Sequence, residues 1–223
     1  MSLDPLLQRA DLWRGGQIPP VADGVPTGFA DLDALFPGGG WPRGALTEIL
    51  LPRDGIGALR LVMPALARLS RENRWLAWVA PPHIPYAPAL AAAGVDLSRV
   101  LLIHPRAASD GLWAVEQTLR SGTCGAVLAW PAVGDTRALR RLQLAAEAGR
   151  CWGLLFRPEH LVRQSSPAAL RLRLVPQERG VAVHVIKRRG GWAAGPVHVD
   201  VDHVVAQRSS APTAPGSLHP RGA

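Results

Sequence analysis

Five short apolar runs, separated by stretches of helical spacing, restrict this 223-residue chain to one kind of fold. They are 46–51 (LTEILL), 75–80 (WLAWVA), 100–104 (VLLIH), 125–130 (GAVLAW) and 151–156 (CWGLLF). A strand that is apolar at nearly every position is covered on both faces, whereas a half-exposed strand alternates. Helical patterns occupy the intervals at 55–71, 85–93, 111–121 and 136–148, and a further one spans 28–36. Strand–helix alternation requires crossovers, and right-handed crossovers build an α/β fold with a mainly parallel central sheet and helices on both faces. After residue 165 the rhythm changes to strands at 169–175, 181–188 and 196–202, joined by Gly-rich turns. Val181, Val183 and Val185, then Val197, Val199 and Val201, mark one face each, which predicts a C-terminal antiparallel extension. No internal repeat is visible.

The first strand–helix unit, Gly44 to Leu69, has the layout in which G-x-x-x-x-G-K-[ST] binds phosphate. In that motif backbone N–H groups cradle the phosphates, a Lys reaches the β/γ oxygens and a hydroxyl holds Mg²⁺. Here the loop reads Pro52, Arg53, Asp54, Gly55, Ile56, Gly57, Ala58, with neither Lys nor Ser/Thr. Asp54 would repel a phosphate. The layout of a nucleotide site persists without its ligands, so no cofactor is expected.

The ends differ from the middle. Residues 3–14 place Leu3, Leu6, Leu7 and Trp13 at near-helical spacing after Asp4-Pro5, and Gly15 to Pro26 reads as a linker. Leu6, Leu7 and Trp13 are therefore candidate docking residues of a detached helix. Residues 206–223 are rich in Pro, Ala and Ser and are expected to be disordered. The division is 1–26, a core at 27–205, and the tail. No apolar run reaches the ~18 residues of a membrane span, and no export signal opens the chain, so a cytoplasmic location is expected. Cys124 and Cys151 read as reduced core thiols, and metal-ligand spacing is absent. His83 follows a strand end, where ligands bind in open α/β sheets, but no nucleophile or carboxylate accompanies it. His198, Asp200 and Asp202 read as the polar face of an edge strand.

The net charge of +8 is unevenly placed: residues 1–135 sum to −1, residues 136–190 to +9, and the rest to zero. Arg supplies nearly all of it, Lys187 being the only lysine. Arg137, Arg140 and Arg141 share one helix face at i, i+3 and i+4. With Arg157, Arg163, Arg171, Arg173, Lys187, Arg188 and Arg189 they suggest a basic surface for single-stranded DNA or an acidic partner, against the plainer reading of solvated arginines. Among eight tryptophans, Trp75, Trp78, Trp130 and Trp152 fall in core strands, whereas Trp13, Trp41, Trp113 and Trp192 lie in less buried contexts. An exposed Trp13 or Trp41 would suit a binding hot spot, against the plainer reading of core packing or docking within the chain.

The run GVPTGFADLDALFPGGGWPRGALTEIL ahead of the strand–turn–helix resembles the opening of the RecA-like ATPase core. The likeness continues through Leu90 to Asp96 and on to Val185–Gly190, covering about residues 24–205. More narrowly, the loop DGIGAL, the segment WVAPPHIPYAPALAAAGVD and the Trp at the tip of the fourth strand resemble the ImuA group, RecA-like accessory proteins of translesion DNA synthesis. The resemblance puts the phosphate-loop Lys and Thr on Gly57 and Ala58, or one residue later, the acid that activates water on Pro82, the Walker B Asp on Trp130 and the γ-phosphate-sensing Gln on Pro158. Phosphoryl transfer rests on positioning and electrostatics, so four such losses imply no ATPase. The segments matching a recombinase's DNA loops are short, which argues against a filament-forming recombinase. The ImuA likeness implies a non-catalytic accessory protein. Its partners would be an inactive, ImuB-like Y-family polymerase homologue, an error-prone polymerase III α-type subunit, RecA, or a second copy of itself, with DNA touched directly or indirectly. Three alternatives stand beside it. One is a division inhibitor of the DNA-damage (SOS) response related to SulA, directed at the tubulin-like division protein. Another is a single-stranded DNA-binding RecA paralogue with weak nucleotide binding. The last is a residual nucleotide enzyme using Arg53 or Arg60.

Overall fold

A computed structural model describes residues 24–131, 135–191 and 193–201. The predicted N-terminal helix with Leu6, Leu7 and Trp13, most of the linker, Trp192, Asp202 and the tail lie outside the described residues.

The apolar runs become strands of one sheet: β1 (Leu46–Leu51), β2 (Trp75–Val79), β3 (Val100–Ile103), β4 (Cys124–Ala129), β5 (Trp152–Pro158), β6 (Leu170–Pro176), β7 (Val181–Arg188) and β8 (Ala194–Val199). Their order is β3-β2-β4-β5-β1-β6-β7-β8. Every neighbouring pair from β3 to β6 is parallel, and β7 and β8 are added antiparallel. The expected α/β architecture, with its parallel body and antiparallel extension, is the one observed.

Strand periodicity sorts the core into two layers. On one face Ile49, Trp78, Leu154 and Phe156 pack with α1 (Ala30–Leu35), α2 (Ala58–Arg71) and α3 (Ala87–Ala92), which contribute Leu32, Leu61, Leu66 and Leu90. On the other, Leu46, Ala77, Val127 and Leu155 pack with α4 (Ala108–Arg120) and α5 (Thr136–Gly149) through Leu119, Leu139 and Leu142. Asp135 starts α5 as expected of an N-cap, its carboxylate accepting from the Ala138 N–H. α2 starts differently, from Gly57 at φ 97°. The left-handed backbone favours glycine, and a Cβ there would also crowd Val201 Cγ2 at 3.1 Å.

Two tryptophans settle questions that the sequence left open or misplaced: Trp41 takes the plainer, core-packed reading, and Trp75 is less buried than its strand suggested. Trp41 is fully buried: Val25 bridges to it, its ring stacks on Trp152 with centroids 5.1 Å apart, and Phe36 tilts against it. The Gly-rich loop before it is therefore a plug over the sheet's lower end rather than a displayed surface. Conversely, Trp75 is 37% exposed and lies under the Arg99 guanidinium at 5.5 Å. It begins β2 beside β3, which proves to be the sheet's edge, with Leu101 and Leu102 exposed. An apolar run on an edge reads the same in sequence as one at the centre. Among the described residues no helix is long and apolar enough to cross a membrane.

Candidate functional site: an aromatic cleft over the loop of β1 and α2

The residues singled out as altered nucleotide-site positions converge. Loop 52–57 leaves the C-terminal end of β1, Pro82 follows β2, Trp130 follows β4 and Pro158 ends β5. In a parallel sheet these ends lie side by side. Between them are two adjoining clefts of about 330 Å³ and 270 Å³. Asp54, Gly55, Gly57 and Ala58 line the larger. Pro52, Arg53 and Pro158 line the smaller, and Pro82 and Trp130 line both.

Stacked aromatic rings line the larger cleft, together with the charged or titratable Asp54, Arg60 and His83. Trp78 stacks on Trp130 with centroids 5.9 Å apart, and Trp130 stacks on Phe156 at 4.7 Å with an interplanar angle of 18°. Trp130 thus bridges the rings of β2 and β5 at the C-terminal end of the sheet. The segment 81–86 forms the opposite wall and presents Ile84 and Tyr86, 81% and 73% exposed. Ala80 turns the chain into that wall with φ 48°, a left-handed conformation that is uncommon outside glycine. His83 lies in the same wall and is exposed. The loop and first turn of α2, residues 52–60, contain no Lys, Ser or Thr; their charged residues are Arg53, Asp54 and Arg60.

The basic candidates do not form one surface. Arg137 and Arg140 are exposed on the first turns of α5, which leaves the C-terminal end of β4. Arg141 beside them is an ion-pair partner of Glu116, which also accepts from Arg120. Arg163 and Arg189 are exposed. Lys187 and Arg188 sit at the other end of the sheet, because β7 runs antiparallel and pairs them with Arg171 and Leu170 at the start of β6. Lys187 Nζ donates to the Ser166 carbonyl at 2.7 Å, and Arg188 donates to the Leu35 carbonyl. Burial, joined by Arg171, holds the Lys187 ammonium below its usual pKa against the opposing pull of Glu48.

Arg157 departs most from expectation: it is 2% exposed. Its Nη1 donates to Glu48 Oε1 at 2.6 Å, while Arg171 Nε donates to Glu48 Oε2 at 2.6 Å. Arg171 also holds the carbonyls of Leu161 and Val162, and Arg157 the Gln164 side chain. The pair therefore pins the 3-10 turn Glu159–Arg163 over the sheet and is not available to a polyanion. One signal was legible for this triad: Glu48 alone inside an apolar strand demands a buried counter-charge. Leu170, Leu172 and Leu174 alternating with Arg171 and Arg173 supplies it.

Cys124 and Cys151 are buried and unpaired, as expected, and burial raises the pKa of both thiols. Among the described residues no group of three or more His, Cys, Asp or Glu side chains is placed to hold a metal ion.

Comparison with known proteins points to one family. The family profile described as "Cell division inhibitor SulA" matches residues 44–153, from the turn before β1 into β5. A relative described as cell division inhibitor SulA from Edwardsiella piscicida is 36% identical over 99 residues, 44% of this chain and 59% of that protein. One from Pectobacterium carotovorum is 31% identical over 117 residues, 52% of this chain and 70% of the relative. A crystal structure of SulA from Pseudomonas aeruginosa, 29% identical, is covered over 97% of its length by 50% of this chain, with a TM-score of 0.43. The match spans about three-fifths of the Edwardsiella protein's length. Of the readings drawn from the sequence, the family profile and the sequence relatives favour the SulA-related one. On the extent and identity of the Pectobacterium match, the chain belongs to the SulA family.

Proposed function

We propose that the chain is a non-catalytic, RecA-like protein of the DNA-damage response that works by binding another protein, and that it inhibits cell division. The single observation that supports the non-catalytic reading is the Trp78–Trp130–Phe156 stack in the cleft over the β1–α2 loop, the place where the RecA likeness would put a triphosphate and its metal. Family membership supports division as the process, and the tubulin-like division protein as the target. The test has two parts. Overproduction in a bacterium lacking RecA should produce filamentous cells, and the purified chain should block GTP-dependent assembly of the division protein measured by light scattering. Filaments that never form, with assembly unimpeded at equimolar protein, would remove the proposal. MgATP at 1 mM should leave the melting temperature within about 1 °C, since a ligand stabilises only in proportion to its binding.

One observation keeps a second reading in play. The family match ends at residue 153, yet the sheet continues through most of β5 and through β6, β7 and β8. This additional RecA-like portion suits the translesion role suggested by the ImuA likeness. The partners would then be the inactive Y-family polymerase homologue and the polymerase III α-type subunit, with RecA or a second copy as further candidates. Deleting the gene should then lower damage-induced mutation frequency without altering cell length, the opposite pattern to that of a division inhibitor.

A further inference from the structure

The cleft combines three features. Its floor is a run of stacked flat rings, Trp78, Trp130 and Phe156. Its wall carries Pro81, Pro82, Pro85 and the exposed Tyr86. Trp78, only 2% exposed, has a buried indole Nε1–H that meets no acceptor among the described residues. A buried donor without an acceptor is rare in folded proteins. Trp78 lines the cleft, so a ligand carbonyl brought against its ring would satisfy that donor.

The ligand class follows from those features. A helix or sheet strand already uses its own carbonyls. A polyproline II segment leaves all of them free, and its rings lie flat on aromatic surfaces. We propose that this cleft binds an extended, proline-containing peptide, and that its occupant is this chain's own segment 206–220.

The occupant is set by where the described chain ends. Val201 packs beside Gly57, its Cγ2 3.1 Å from where a Cβ on that glycine would stand, and Gly57 lines the cleft. The residues that follow, 206–220, read AQRSSAPTAPGSLHP and carry Pro212, Pro215 and Pro220. At roughly 3.1 Å per residue in the extended form, the ten residues from Val201 to Ala211 span about 30 Å, ample to bring the first proline to Trp130. A tether this short gives an effective concentration in the millimolar range, so even a weakly binding peptide fills the site. A protein partner entering by the same cleft would have to displace it. This inference does not depend on which protein that partner is.

The test uses the full chain. Because Cys124 and Cys151 are buried and their thiols held protonated, Ser217→Cys takes a nitroxide label selectively. The indole ¹H–¹⁵N resonances of Trp78 and Trp130, assigned through Trp78→Phe and Trp130→Phe, are then compared with the label oxidised and reduced. The expected result is broadening of both, unchanged on dilution, with Trp152 at the sheet's other end unaffected. Pro212→Ser with Pro215→Ser should cut that broadening at least threefold. Absence of broadening, equal broadening of all indoles, or full broadening in the serine variant overturns the proposal. So does broadening seen only when spin-labelled chain is mixed with isotope-labelled unmodified chain, which would make a second copy the occupant.

Discussion

Arg137 and Arg157 look alike in the sequence, two arginines in the same basic half of the chain, and the fold gives them opposite roles. Arg137 stands exposed on the first turn of α5. Arg157 lies inside the sheet's cover, joined with Arg171 to the two oxygens of Glu48. Net charge counts both equally, but only the first can meet a partner. The +9 excess of residues 136–190 is thus part surface and part internal scaffold.

The sharpest way to break that contrast is Glu48→Ala. It leaves two guanidiniums facing each other without a counter-charge, which costs about 3–5 kcal/mol when a buried partner is lost. Urea unfolding should show the fall in midpoint with little change in slope. A loss under about 1 kcal/mol would mean that water reaches the triad. Converting Glu48, Arg157 and Arg171 together to apolar residues of similar volume should recover most of the loss, because well-packed hydrophobic replacements of buried ion pairs are often neutral or stabilising.

A paired comparison comes next. Arg157→Ala removes one arm of the triad and its bond to Gln164, leaving Glu48 with Arg171 alone; it should cost about 3 kcal/mol. Arg137→Ala should change stability by no more than about 0.5 kcal/mol, as surface substitutions do. Equal effects would erase the distinction between the two arginines.

How far the sequence carried this picture depends on what each pattern reports. Apolar runs and helical spacing report local periodicity, so the eight strands among the described residues and the direction of the last two were legible from them. Position within the sheet is a long-range property, which is why β3 read as a covered strand although it is the edge. Trp41 shows the same limit: flanking glycines suggest an exposed loop, but Trp152, more than a hundred residues later, supplies the ring that buries it. The cleft was half legible. The residues that line it were visible one by one in the sequence, whereas their stacking needed β2, β4 and β5 brought side by side. The +9 count failed for Arg157 because a charge total carries no information about facing partners.

Any affinity for single-stranded nucleic acid should then rest on the exposed set. Arg137→Ala with Arg140→Ala should flatten the slope of log affinity against log salt by about 1.4, at roughly 0.7 per phosphate contact on a single strand. Arg171→Met, measured on protein shown to be folded, should leave the slope unchanged. A flat salt response in the unaltered chain would remove direct nucleic-acid binding altogether.

The smallest effect concerns an ion pair at the surface. Glu72, just past the end of α2, accepts from Arg68 at 3.1 Å and from Arg43 at 3.3 Å, tying the turn before β1 to that helix. Partial burial opposes the charge, but the two guanidiniums outweigh it and hold the carboxyl below its ordinary 4.5. A carboxyl depressed in the folded state stabilises above its unfolded pKa and loses that contribution as pH falls through the folded value. Glu72→Gln should therefore lower stability at pH 6 and converge with the unaltered chain as the pH drops below 4.5. Since the side chain is 37% exposed, solvent screening keeps the difference under about 1 kcal/mol. Set beside Glu48→Ala, the same chemistry of one carboxylate between two arginines should differ several-fold in cost, and the difference measures what burial adds. If the two substitutions cost the same, the internal triad owes nothing to its burial.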